Sequence, residues 1–302
     1  MFVTIAVIAV VALLVHIAVA LYLAELFTRS KRRRVEGTPG DLGLRYEDVQ
    51  FVAADGIVLH GWYLESPGAR GTLVLVHDFD GTRADKAHGL LPLQRDYLRR
   101  GFNVLAFDLR GRGESGGSRD YLGASERLDL PAAAKYAKAR TPMLPVVVHG
   151  FGFGGALAVV GVADGSVEAD AVIADSAFTS VRAYLRRRWA IVPWHLFQLS
   201  CYFAKRLFHA DPDAIAPLAA MRATTSLTPM LFIHGDKDRL ISVTHTINVA
   251  ASSMNARTSV YRVPRAGHCT SYMRGPEAYV RHCLDFVDGA VPARRITVAA
   301  AG

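Results

Sequence analysis

The chain has 302 residues, is 51% apolar and carries a formal net charge of +8. That suits one large domain with a full core plus additional segments. The positive excess lies mostly in Arg29 to Arg34 and Arg182 to Arg188, beside apolar sequence and without a nucleic-acid-binding motif, so an anionic membrane surface is the expected partner and nucleic acid is not. The 3 cysteines are odd in number and lack metal-ligand spacing, which implies free thiols in a reducing compartment.

Phe2 to Phe27 is apolar except for Thr4, His16, Tyr22 and Glu25, long enough to cross a bilayer. No basic residue precedes the run, and Arg29, Lys31, Arg32, Arg33 and Arg34 follow it. A cleaved signal peptide would want a basic start and a shorter apolar core. Residues 1–28 therefore read as a single-pass anchor, with the C-terminal side in the cytoplasm by the positive-inside rule. Residues 29–47 read as a basic juxtamembrane segment and a glycine-rich linker.

The domain proper is expected over residues 48–290. Strands are predicted at Asp48 to Val52 and Ile57 to Leu64, joined at an Asp55-Gly56 turn. Further strands follow at Thr72 to His77, Asn103 to Asp108, Pro145 to His149, Asp170 to Asp175, Pro229 to His234 and Ser259 to Val263. The run Thr-Leu-Val-Leu-Val-His77 is continuous and apolar, as in a strand covered on both faces. Helices are predicted at Ala84 to Arg100, Ser125 to Ala139, Phe153 to Ala163, Val243 to Met254 and Pro276 to Val287. This alternation predicts an α/β fold: a mostly parallel sheet, helices on both faces and a hairpin at one edge. Residues 177–216 are expected to form a short helical cap, and 291–302 a disordered tail.

Five stretches carry a family resemblance: His77-Asp-Phe-Asp-Gly81, Phe107-Asp-Leu-Arg-Gly-Arg-Gly-Glu-Ser-Gly116, Asp175-Ser-Ala-Phe-Thr-Ser180, Ile233-His-Gly-Asp-Lys-Asp238 and Ala266-Gly-His268. In this order and spacing the chain resembles the α/β-hydrolase superfamily from about Val49 to Asp288, and within it the membrane-anchored bacterial serine aminopeptidase-like hydrolases. The resemblance implies that Asp238 is the triad acid and His268 the triad base. A serine hydroxyl is a poor nucleophile at neutral pH, so an imidazole must take its proton and a carboxylate must fix the imidazole's tautomer.

The departure is at the nucleophile turn, where such hydrolases carry Gly-x-Ser-x-Gly. Here the frame is Gly150-Phe151-Gly152-Phe153-Gly154, and the nucleophile position is Gly152, which has no side chain to attack with. Glycine also adopts positive φ without the strain of about 1–3 kcal/mol that another residue would carry there. By resemblance, the backbone amides of Phe79 and Phe153 are the oxyanion-hole donors. Asp78 and Asp80 flank Phe79, and carboxylates so placed would oppose developing negative charge. The simpler expectation is that both face solvent or cap the next helix.

Ser115, Ser176 and Cys269 are the other hydroxyls and thiol near this edge, read as turn or buried residues. A metal held by His77, Asp78, Asp80 and His268 lacks a ligand motif, so no metal and no cofactor is expected. In the cap, Tyr184 to Phe208 is aromatic, apolar and basic-flanked. A lid helix pair over an apolar pocket is expected; the rival is a segment in the membrane interface, with Trp189 and Trp194 at headgroup depth.

Three functions follow. The first is a membrane-anchored pseudoenzyme that binds an apolar or acyl ligand, or a partner. The second is an active hydrolase of ester, thioester or peptide bonds, using a non-standard nucleophile or a water activated by His268. The third is a normal serine hydrolase in which Gly152 is an engineered or sequencing change.

Overall fold

The computed structural model describes residues 1–291; the tail expected from Pro292 lies outside the described residues. Eight strands form one sheet: β1 (Glu47–Val52), β2 (Val58–Leu64), β3 (Gly71–Val76), β4 (Phe102–Phe107), β5 (Val146–Phe151), β6 (Ala171–Asp175), β7 (Met230–Gly235) and β8 (Ser259–Val263). Their order is β1-β2-β4-β3-β5-β6-β7-β8. β1 and β2 pair antiparallel and β2 joins β4 antiparallel; every later pairing is parallel.

Strand periodicity divides the core. Along β3, Val74 and Val76 point into one cluster and Leu73 and Leu75 into the other. The first face is covered by α3 (Asp129–Arg140) and α4 (Phe153–Ala163), the second by α2 (Leu90–Leu98) and α10 (Pro276–Ala290). α2 is shorter than expected because Thr82 to Gly89 is spent in turns. α4 is apolar on all sides and buried along its length, as its composition requires.

α1 (Phe2–Thr28) is a continuous helix, exposed over its first half and packed over its second. The cap consists of α5 (Val181–Arg188) and α6 (Trp194–Phe208), followed by α7 (Pro217–Ala223). α8 (Val243–Ala250) and α9 (Ser271–Arg274) complete the set. The cap differs from a simple lid. Only α5 reaches the carboxyl edge of the sheet, while α6 packs along α1. Residues 29–47 are also more ordered than the expected linker. Arg32 Nη1 donates to the carbonyls of Gly113 and Ser115 (both 2.8 Å), and Pro39–Leu42 forms a 3₁₀ turn.

Candidate active site

The carboxyl ends of β3, β5, β7 and β8 converge on one point, as open α/β sheets place their sites. At the end of β5 the chain turns sharply into α4. Gly150 and Gly154 make the turn possible, because a Cβ on Gly150 would run into the Gly154 backbone and one on Gly154 into the carbonyls of Val76 and His77. Gly152 has φ 49° and ψ −106°, a conformation costly for any residue with a side chain.

Asp238 and His268 are brought together. His268 Nδ1–H donates to Asp238 Oδ2 at 2.7 Å. The acid is fixed from its other side, where Asp238 Oδ1 accepts from the amides of Leu240 (2.9 Å) and Ile241 (2.8 Å). The imidazole thus presents Nε2 to the space above Gly152.

That space is occupied by Asp78. A Cβ built on Gly152 would fall on Asp78 Oδ1, closer than any real Cβ contact, and 3.0 Å from Oδ2. The expectation that Asp78 faces solvent or caps a helix is corrected. Its side chain is turned inward, the residue is 7% exposed, and its two oxygens hold two parts of the site. Oδ1 accepts from the amide of Phe153 at 2.7 Å, the bond an oxyanion would otherwise take. Oδ2 lies 3.4 Å from His268 Nε2. The carboxylate therefore fills the volume of the missing side chain and the anion site with one group. Asp80 points away, pairing with Arg188 of α5 at 2.7 Å.

The electrostatics follow. Burial opposes charge on Asp78, but His268 and the Phe153 amide outweigh it and hold the carboxyl well below its ordinary range. For His268, burial opposes the imidazolium, while the neighbouring Cys269 sulfur, the hydrogen bond to Asp238 and the Asp78 carboxylate 3.4 Å away hold it well above its ordinary value. Burial keeps Cys269 far above a normal thiol, so it is neutral and the two carboxylates carry the effect on His268. With His268 raised and Asp78 lowered, an imidazolium flanked by carboxylates is the favoured charge arrangement.

Aromatic rings close the site. The Phe79 ring stacks on Phe153 (centroids 3.9 Å apart) and on Tyr184 of α5 (4.8 Å). Arg112 donates to the Phe79 carbonyl, which fixes the loop after β3. Phe153 offers its amide to the site, whereas no hydrogen bond from the Phe79 amide is found among the described residues.

The remaining candidates are structural. Ser115 Oγ donates to the Asp108 carbonyl (2.6 Å) and accepts from the His60 amide (2.9 Å). Ser176 Oγ donates to Asp175 (2.8 Å) and accepts from the Cys269 amide (3.0 Å). The four residues considered for a metal do not converge. His77 is tied between the Asp78 carbonyl (2.7 Å) and the Leu109 amide (3.0 Å), and Asp80 is with Arg188. A different trio, Asp78, His88 and Cys269, brings donor atoms within 4.8 Å of one another. Asp78 is already engaged by Phe153 and His268, and His88 by Asp85 at 3.2 Å.

Sequence reasoning did not find Asp175, buried behind the site at the end of β6. Burial pushes its carboxyl up to about 6, and it accepts from Ser176, Ser271 and Tyr279. The one sequence signal is a carboxylate closing an apolar strand.

The sheet, the turn at Gly152 and the paired Asp238 and His268 are those of the α/β-hydrolase fold, and the comparisons with known proteins support that superfamily. Residues 68–209 match the family described as "Serine aminopeptidase, S33". The chain is 27% identical over 264 residues to the "Alpha/beta hydrolase domain-containing protein WAV2" of Arabidopsis thaliana, covering 85% of this chain and 83% of that one. It is 22% identical over 231 residues to "Uncharacterized membrane protein YNL320W" of Saccharomyces cerevisiae, covering 76% of each. Among solved structures, the Pyrococcus furiosus esterase Pf2001 superposes with a TM-score of 0.70 at 26% identity, covering 87% of this chain and 98% of that one.

Proposed function

We propose that this is a membrane-anchored α/β-hydrolase-fold protein that binds an apolar or acyl ligand, or a partner, and does not cleave it by serine chemistry. α1 is the anchor, long and apolar enough to span a bilayer. The observation that carries the proposal is the Asp78 carboxylate standing where the Gly152 side chain would be. Loss of the nucleophile typically costs on the order of 10⁶ in turnover. A bound carboxylate also denies the Phe153 amide to any oxyanion, and a His268 imidazole held toward its protonated form is a poorer general base. The test is treatment of the purified full chain with a fluorophosphonate probe. No adduct is expected; stoichiometric labelling overturns the proposal.

One observation favours a second reading. The Asp238–His268 pair is intact, and Asp78 holds an anionic oxygen at the attacking position. Asp78 Oδ2 could open an epoxide at saturated carbon, giving an alkyl ester while His268 protonates the alkoxide. Water would then attack Cγ, return its proton to His268 and release a diol. Turnover in ¹⁸O-water would place label in Asp78. An unlabelled Asp78 peptide after exposure to epoxides removes this reading.

A further inference from the structure

Two helices share one gradient along their length. α6 packs on the second half of α1, where His16 stacks on His195 with centroids 5.0 Å apart, and Phe27 meets Phe197 at 5.7 Å and Trp189 at 5.0 Å. Beside the apolar middle of α1, the corner between α5 and α6 leaves Ile191 93% and Trp194 57% exposed. The far end of α6 is basic, with Lys205 and Arg206 exposed. That end lies level with the end of α1. Arg119 places its guanidinium 4.2 Å over the Phe208 ring and pairs with Glu25 at 2.8 Å. α6 has the polarity difference around its circumference that packing on α1 requires, burying Phe197, Cys201 and Ala204, and carries a second difference along its axis. A difference along the axis suits a helix descending from headgroups into hydrocarbon, with aromatic residues at the boundary and basic ones above.

A cavity of about 630 Å³ opens at this level. Leu26, Leu122 and Leu185 supply apolar wall; Arg29, Lys31 and Arg32 supply charge. Its two acids are already matched, Asp80 by Arg188 (2.7 Å) and Asp120 by Arg112 (2.5 Å). Neither Arg29 nor Lys31 pairs with a carboxylate among the described residues. From Phe2 to Glu25 a helix rises about 35 Å, enough to cross the hydrocarbon. The cavity therefore sits where lipid phosphates lie.

We propose that this cavity takes an anionic phospholipid from the leaflet at the C-terminal end of α1, its phosphate against Arg29 and Lys31 and its chains beside the immersed α5–α6 corner. The proposal rests on α1 spanning the bilayer and names the ligand class of the binding protein proposed above.

The test places the full chain in phosphatidylcholine nanodiscs doped with equal fractions of brominated phosphatidylglycerol or brominated phosphatidylcholine, and reads tryptophan quenching. Trp62 is buried in the core, so the reporters are Trp189 and Trp194. Both lipids are expected to quench, with phosphatidylglycerol enriched on the order of fivefold per basic contact. Arg29→Gln with Lys31→Gln removes the enrichment, and Arg33→Gln with Arg34→Gln, on the same segment but outside this cavity, leaves it. Equal quenching by the two lipids, equal loss in both variant pairs, or displacement by millimolar inorganic phosphate overturns the proposal. Co-elution with the discs without quenching also overturns it, with the anchor untouched. A chain that does not co-elute overturns the anchor and this proposal together. Cleavage of the lipid would refute the non-hydrolytic reading and leave the binding site standing.

Discussion

Gly152 and Asp78 are complementary, and that governs what either substitution does alone. Serine at 152 would drive its Cβ into the Asp78 carboxylate, so Gly152→Ser is expected to be inactive and less stable than the parent. Gly152→Ser combined with Asp78→Gly clears the volume, frees the Phe153 amide and leaves His268 facing the new hydroxyl. That double variant is expected to take up a fluorophosphonate and hydrolyse a short-chain ester; inertness in the folded double variant would show that more of the site has been lost. The charges have their own signature. His268 is raised, so its stabilising contribution is complete below about pH 6.5 and fades as pH climbs through the folded value. Asp78 is depressed, so its contribution is present above about pH 3.8 and fades as pH falls through its folded value. Between those limits both act. The gap in melting temperature between parent and His268→Gln should therefore be widest in mildly acid solution and narrow toward alkaline pH. A gap that widens as pH rises contradicts the imidazolium assignment.

At the scale of elements, much of the fold was legible because it depends on local pattern. β3 and β4 are apolar runs bounded by turn residues, and Asp55-Gly56 sits in the turn joining β1 to β2. Asp238 and His268 could be named because each follows a strand within a recognisable string, and strand ends point at the site. Asp78 was different. Its position beside Phe79 was plain, but whether its side chain turned outward or inward depended on there being an empty volume at residue 152, seventy-odd positions later. The partner of α6 was hidden for the same reason, since an apolar stripe shows that something is covered and not by what. Phe27 shows the covering: it is 5% exposed, between Trp189 and Phe197. Phe27→Ala is expected to cost about 3–5 kcal/mol at this contact, as large aromatic deletions from packed sites do. The readout is faster hydrogen exchange in α6 with the sheet unchanged. Unchanged exchange there would mean that α1 and α6 do not hold each other.

For the whole molecule, the consequence is that the domain and α1 behave as one piece. Residues 29–32 run onto the domain surface: Arg32 is bonded to the Gly113 and Ser115 carbonyls, and Ser30 Oγ accepts from Arg112 Nη1 at 3.0 Å. With α6 packed on α1 as well, the domain has little freedom to turn relative to α1. On the proposal that α1 spans a bilayer, the carboxyl edge of the sheet keeps a fixed attitude to it, and the cavity under α5 a fixed depth. Removing residues 1–28 tests this. The eight-stranded sheet and both core faces lie almost wholly outside the deleted segment, so the truncated chain should retain its far-ultraviolet circular dichroism. However, the side of α6 around Phe197, together with Trp189, would lose its cover. An uncovered apolar patch of that kind drives association. Light scattering should show the truncated protein self-associating in detergent-free buffer and becoming monomeric in mild detergent, with Phe197→Ser shifting it toward monomer without detergent. A truncated chain that stays monomeric without detergent and without that substitution would mean α6 needs no cover, and the rigid union of α1 and domain would fall with it.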